Sequence, residues 1–176
     1  MLVDDLERIA AAASTHGKVT GVLAAEPAGG RRLYVVSLGD EERRWLVLDD
    51  DARPVERRAE VRDAASIVAM CELAGDVAGG GNLAELREQL DRLREVERPE
   101  GVEAVEEAAR ELERTVGEPP RVATPAYLDA VGEATLTLER ALGDVSSPFA
   151  EALGAGTGAV DEFVREVEGG YALPLR

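Results

Sequence analysis

The chain has 176 residues, 36 acidic against 20 basic, for a formal charge of −16 at neutral pH, which argues against a surface for nucleic acid, polyphosphate or anionic membrane. A chain of this length buries about 70% of its unfolded surface and needs no metal or disulfide to fold. Cys71 is the only cysteine, so neither an intramolecular disulfide nor a zinc cluster is possible and a reducing cytoplasm is expected. Acids near Met1 and the lack of any apolar run of roughly 18 residues speak against a secretory signal and a bilayer span.

Leu2 to Ser14 reads as a helix, because Leu2, Leu6, Ile9 and Ala13 recur at spacings of four, three and four with charges between them. Gly17 ends it. Three β-rich runs follow, Lys18–Glu26, Arg32–Leu38 and Arg44–Asp49, joined by Pro27-Ala28-Gly29-Gly30 and Gly39-Asp40-Glu41-Glu42. Connectors this short predict an antiparallel meander with the middle run at its centre. Leu33-Tyr34-Val35-Val36 is apolar on both alternating sets, so both faces of that strand should be covered. Asp49-Asp50-Asp51 reads as a turn, since it lacks the alternating ligands, central Gly and distant Glu of a calcium loop. Val61 to Ala78 reads as a helix, apolar almost all the way round from Ala64 to Ala74 and therefore largely buried.

Gly79-Gly80-Gly81-Asn82 is the clearest break. It separates a small unit, residues 1–78, from a helical region, residues 83–176, unless the two form one continuous domain. Leu83, Leu86, Leu90 and Leu93 make one seam of three and four spacings, and Val102, Val105, Ala109, Leu112 and Val116 make a second. The short link Arg98-Pro99-Glu100-Gly101 predicts that they form a hairpin over 83–116. Glu88 to Arg92 and Glu106 to Arg110 are expected as i,i+4 ion pairs on its surface. Thr124-Pro125 starts a helix over 125–142 with a third seam, Leu128, Val131, Thr135, Leu138 and Leu142.

The string Leu153-Gly154-Ala155-Gly156-Thr157-Gly158 resembles the Gly-x-Gly-x-Gly loop of S-adenosylmethionine-dependent methyltransferases. No strand precedes it, however, and 18 residues after Gly158 leave no room for the βαβ unit such a loop serves. It reads as a loop before a last helix over 158–168. The tail beyond Gly169 carries Tyr171, Leu173 and Leu175, enough to dock, and two glycines that favour disorder equally. The fold class expected is α+β: an N-terminal helix, a three-stranded antiparallel meander and a largely buried helix, then a C-terminal helical hairpin or bundle.

Catalytic side chains are scarce. His16 and Cys71 are the only imidazole and thiol, and nothing in the sequence brings them together. No catalytic set, metal-ligand spacing or cofactor motif emerges. Glu72 and Asp76, i,i+4 on the central helix, are the one acid pair suited to acid/base work, with Arg43, Arg44, Arg57 and Arg58 as candidate partners. The chain suits a non-catalytic interaction protein that self-associates or holds a protein partner through its seams, Leu86, Leu90, Leu93, Val105, Leu112, Leu128 and Leu138. The plain alternative closes those seams on one another as an intramolecular bundle. A second role is a ligand-binding or sensory domain with a pocket between the meander and helix 61–78, lined by Tyr34, Trp45, Met70, Glu72 and Asp76.

Overall fold

The computed structural model describes residues 1–39, 41–96, 99–117, 119–143 and 147–176, with side chains described at all of these except 93, 96, 99 and 100. The fold is α+β. In chain order the elements are α1 (Leu2–Ala13), β1 (Val19–Ala25), β2 (Leu33–Gly39), β3 (Arg43–Asp49), α2 (Arg58–Gly79), α3 (Asn82–Val96), α4 (Pro99–Val116), β4 (Val122–Ala123), α5 (Pro125–Leu142) and α6 (Pro148–Gly169). Two compact units emerge: residues 1–70, 120–125 and 158–176 form the first, residues 71–119 and 126–157 the second.

The first unit is built on a sheet of order β3-β2-β1-β4. Hairpin-sized connections make β1, β2 and β3 antiparallel, with Val35 opposite both Leu23 and Val47. One sheet face buries Ala24, Tyr34, Val36, Leu38, Leu46 and Leu48 in a cluster with Ile9 and Ala13 of α1. On the other, Leu33, Val35, Trp45 and Val47 are buried too, and Phe163 of α6 meets Trp45 edge-on with ring centroids 5.2 Å apart. Covering both faces is what the doubly apolar pattern of β2 demands. The acidic turn after β3 is held by Asp49, whose Oδ1 accepts from the N–H groups of Asp51 and Arg53 at 3.0 and 2.9 Å. β4 pairs with β1 in parallel through Ala24 and Ala25; two residues carry no periodicity, so the sequence reading missed it.

The tail docks. It runs along the outer edge of β3, where the Trp45 N–H donates to Gly170 O at 2.7 Å and the Ala172 N–H donates to Trp45 O at 2.8 Å. The Val47 N–H donates to the Tyr171 hydroxyl at 3.1 Å, while Val55 N–H donates to Val47 O at 2.8 Å and Asp49 N–H to Arg53 O at 3.0 Å. An edge strand left open is a template for aggregation, and here the tail and the turn after β3 occupy it. Gly170 eases this crossing: a Cβ would lie 3.0 Å from Arg43 O and 3.1 Å from Trp45 Cδ1, close enough that a neighbour would have to shift. Arg62 grips Glu168 through two bonds, at 3.1 and 3.3 Å, and fixes the end of α6.

In the second unit α3 and α4 form the expected hairpin, and the glycine break before it is a turn. There Gly81 takes φ +87° and Asn82 Nδ2 donates to Val77 O at 3.0 Å, capping α2. Leu83, Leu86 and Leu90 of α3, Val102, Val105, Ala109, Leu112 and Val116 of α4, Val131 and Leu138 of α5 and Phe149 of α6 belong to one buried cluster. The loop expected over Leu153–Gly158 is instead the middle of α6, which starts at Pro148 and not at residue 158. Gly156 packs against the end of the Leu73 side chain of α2, where a Cβ would make Leu73 shift, whereas Gly154 and Gly158 face open space.

Candidate functional site

Of the five residues expected to line a pocket, Tyr34 and Trp45 lie on opposite faces of the sheet. Tyr34 is fully buried on the α1 face of the sheet, its hydroxyl 3.3 Å from Asp50 Oδ1, and burial raises its ionisation above the ordinary phenol range. Trp45 is buried on the opposite face, under the Arg43 guanidinium at 5.6 Å from its ring centroid. The register explains the separation: Tyr34 pairs with Leu48 and Ser37 with Trp45, and residues 34 and 37 point to opposite sides of one strand. Met70, on α2, is 38% exposed.

Glu72 and Asp76 are exposed on α2. Three of the four arginines named as candidate partners are engaged elsewhere: Arg43 with Glu166 at 3.2 Å, Arg58 with Glu168 at 3.8 Å, and Arg44 with the His16 carbonyl at 2.8 Å. Neighbouring protein desolvates the Glu72 carboxyl, and the Asp76 charge adds to the effect, so its pKa lies above the ordinary glutamate value. A carboxyl whose folded pKa exceeds its unfolded one destabilises the fold once ionised: stability is highest below the ordinary glutamate range and falls as pH rises through the folded value. Glu72→Gln is therefore expected to melt at a higher temperature than the parent at pH 7 and to match it near pH 3. Equal melting temperatures at both pH values would show that the carboxyl is not strained. Among the described residues no group of three or more His, Cys, Asp or Glu is placed to hold a metal, and Cys71 is buried.

The seam residues Leu86, Leu90, Val105, Leu112 and Leu138 sit inside the second unit's core. Leu128 is half-buried, and the Leu93 side chain lies outside the described residues. What the hairpin presents outward is charge. On α3, Arg87, Asp91 and Arg94 follow one another at four and three; on α4, Glu106, Arg110 and Glu113 do the same, so each trio shares a helix flank. Because the helices run antiparallel, α3 reads plus, minus, plus against minus, plus, minus on α4. Arg87 pairs with Glu113 and Arg94 with Glu106 across the hairpin. The expected Glu106 to Arg110 pair is thus replaced: Glu106 reaches across to α3, and Arg110 lies 3.8 Å from Glu107, while Glu88 and Arg92 do meet at 3.9 Å. Between the two rows runs a groove of about 300 Å³, floored by Leu90 and Ala109.

Exposed pairs of this kind contribute only ~0–1 kcal/mol each, so stability alone is a weak reason for six charged residues in register, two pairs of which meet across the hairpin. The apolar seams carry no mark of this flank, whose signal, the alternation of sign, becomes visible only after the hairpin register is set. Two further grooves are lined differently. One, about 440 Å³, is mostly apolar, with Leu83 and Val116 among small residues of α2. The other, about 450 Å³, contains Arg31, which is already bound to Asp49 and Glu60 at 2.8 and 3.4 Å.

Comparison of the chain with protein-family models, with curated proteins and with solved structures returns no match in any of the three. Among the described residues no helix is long and apolar enough to cross a membrane.

Proposed function

We propose that the protein is a non-catalytic interaction module whose docking surface is the charged outer flank of the α3–α4 hairpin. The observation that supports this is the alternating register of Arg87, Asp91, Arg94, Glu106, Arg110 and Glu113, the first five of which line the groove with Leu90 and Ala109. A partner laid along that groove would meet alternating charges on either side, so recognition there rests on charge complementarity, with Leu90 and Ala109 already buried beneath. The six charges of the flank sum to zero, three arginines against three acids, on a chain of −16, so contact there adds no net charge of its own. A cytoplasmic setting fits the single, buried Cys71. The small-molecule reading has less support, since Tyr34 and Trp45 lie on opposite sheet faces.

A photo-crosslinking residue placed at Asp91, compared with one at the exposed Asp4 of α1, tests the proposal in cells of the native host. The Asp91 probe is expected to join the chain to a protein of defined mass, with the product lost when Arg87→Glu and Arg94→Glu are added. Absence of product at Asp91, or the same product from Asp4, would sink the proposal.

A further inference from the structure

Resting on that reading, we propose that the partner is a second copy of this chain, docked flank to flank about a two-fold axis running along the α3–α4 hairpin. Two face-to-face arrangements of identical hairpins are symmetric. An axis across the hairpin lays α3 on α3, which sets Arg87 against Arg94 of the partner subunit and Asp91 against its own copy. On α4 it sets Glu106 against Glu113 of the partner subunit. Every contact is then between like charges, a geometry that costs affinity. An axis along the hairpin lays α3 on α4 instead. Arg87 then faces Glu113 of the partner subunit, Asp91 faces Arg110 of the partner subunit, and Arg94 faces Glu106 of the partner subunit, with all three repeated by symmetry.

The intrachain pairs do not compete with this arrangement. A carboxylate has two oxygens and about four lone-pair sites, and a guanidinium has five N–H donors, so each group serves a neighbour in its own chain and one in the partner. Arg87, Arg94 and Arg110 are 51, 52 and 64% exposed along their side chains and have donors to spare; Glu113 is 45% exposed and Glu106, at 18%, is the most enclosed of the set, so its contact with the partner is the weakest. Two chains of −16 repel, and the alternating signs of this flank keep the contact itself from adding to that repulsion. Leu90 and Ala109 are already 3 and 4% exposed, so little apolar surface remains to bury and the dimer is expected to be reversible.

The test exploits the intrachain pairs. In the chain carrying Arg87→Glu, Arg94→Glu, Glu106→Arg and Glu113→Arg, both cross-hairpin pairs keep opposite signs, and so does each contact between two swapped copies. A swapped chain against a native one places four like-charge pairs at the interface. Sedimentation equilibrium on the full chain is expected to show self-association of each form, with dissociation constants equal within about threefold. Binding between a labelled native chain and the swapped chain is expected to be at least tenfold weaker. A native chain that stays monomeric at high micromolar concentration, or mixed pairs as tight as like pairs, would overturn the proposal.

Oxidative trapping checks the axis without relying on the fourfold variant. Chains with Asp91→Cys mixed with chains with Arg110→Cys should crosslink, while Asp91→Cys alone should not; the reverse pattern refutes this axis. A monomeric native chain together with crosslinking of the Asp91 probe to another protein would end the second-copy assignment and leave the interaction reading standing. An empty Asp91 probe would end both.

Discussion

Leu112→Ala should lower the free energy of unfolding by about 2–5 kcal/mol, the range for truncating a buried leucine. Leu112 is fully buried, in one cluster with Leu86, Leu90, Val105 and Leu138. Truncation removes three carbons from a core that cannot collapse fully around the gap, because three helices meet there. Urea denaturation followed by far-UV circular dichroism measures the loss. Leu136→Ala on α5 is the control: that side chain is 49% exposed, and its removal should cost no more than about 0.5 kcal/mol. The same melts settle how the seams are used. A loss at Leu112 that does not vary with protein concentration belongs to contacts within one chain, whereas a loss that shrinks with dilution belongs to an oligomer. Equal effects at 112 and 136 would contradict the closed core.

Tyr171→Phe should cost about 1–3 kcal/mol, since it strips a buried backbone group of its partner while preserving the ring. The phenol accepts from the Val47 N–H at 3.1 Å and lies 2.6 Å from the Val55 carbonyl, to which it donates. Burial, the largest cause, pushes its ionisation up to about 12, against the lowering effect of the Val47 hydrogen bond. The folded state therefore holds the phenol proton longer than the unfolded chain does. This contribution to stability is constant below about pH 10 and falls as pH rises from about 10 to about 12. Thermal melts across that window should show a steeper decline for the native chain than for Tyr171→Phe. Parallel declines would mean that the phenol is hydrated and the tail does not seal the β3 edge.

Periodicity located the helices and the meander because each is long enough to repeat its pattern. The coverage of β2 on both faces was legible in Leu33–Val36 for the same reason. What escaped depends on pairs far apart in sequence. β4 exists through its partner strand and has no pattern of its own. The α6 glycines look like a loop until Leu73 is seen against Gly156. Tyr34 and Trp45 were placed around one pocket because the parity of two strands is undefined until the hairpin between them fixes the register. The Arg87 to Glu113 ladder likewise needed the hairpin register before its charges made sense. Glu72 and Asp76 were correctly found on one side of their helix, but an i,i+4 relation cannot say what that side faces, and both proved exposed.

The docked tail also sets a schedule for the ribosome. Val47 and the tyrosine that seals it are 124 residues apart, and the whole of the second unit is encoded between the stretches of the first. At about 5–20 residues per second, β3 waits roughly 6–25 s after its own synthesis before its cover emerges. During that interval the nascent chain offers the edge of β3 to its neighbours on the same message, and the second unit gains the last of its own sequence, at residue 157, only shortly before the cover is made. Arg43 and Arg44 at the head of β3 are positive charges on that waiting strand, and like charges on adjacent nascent chains oppose its pairing with a copy of itself.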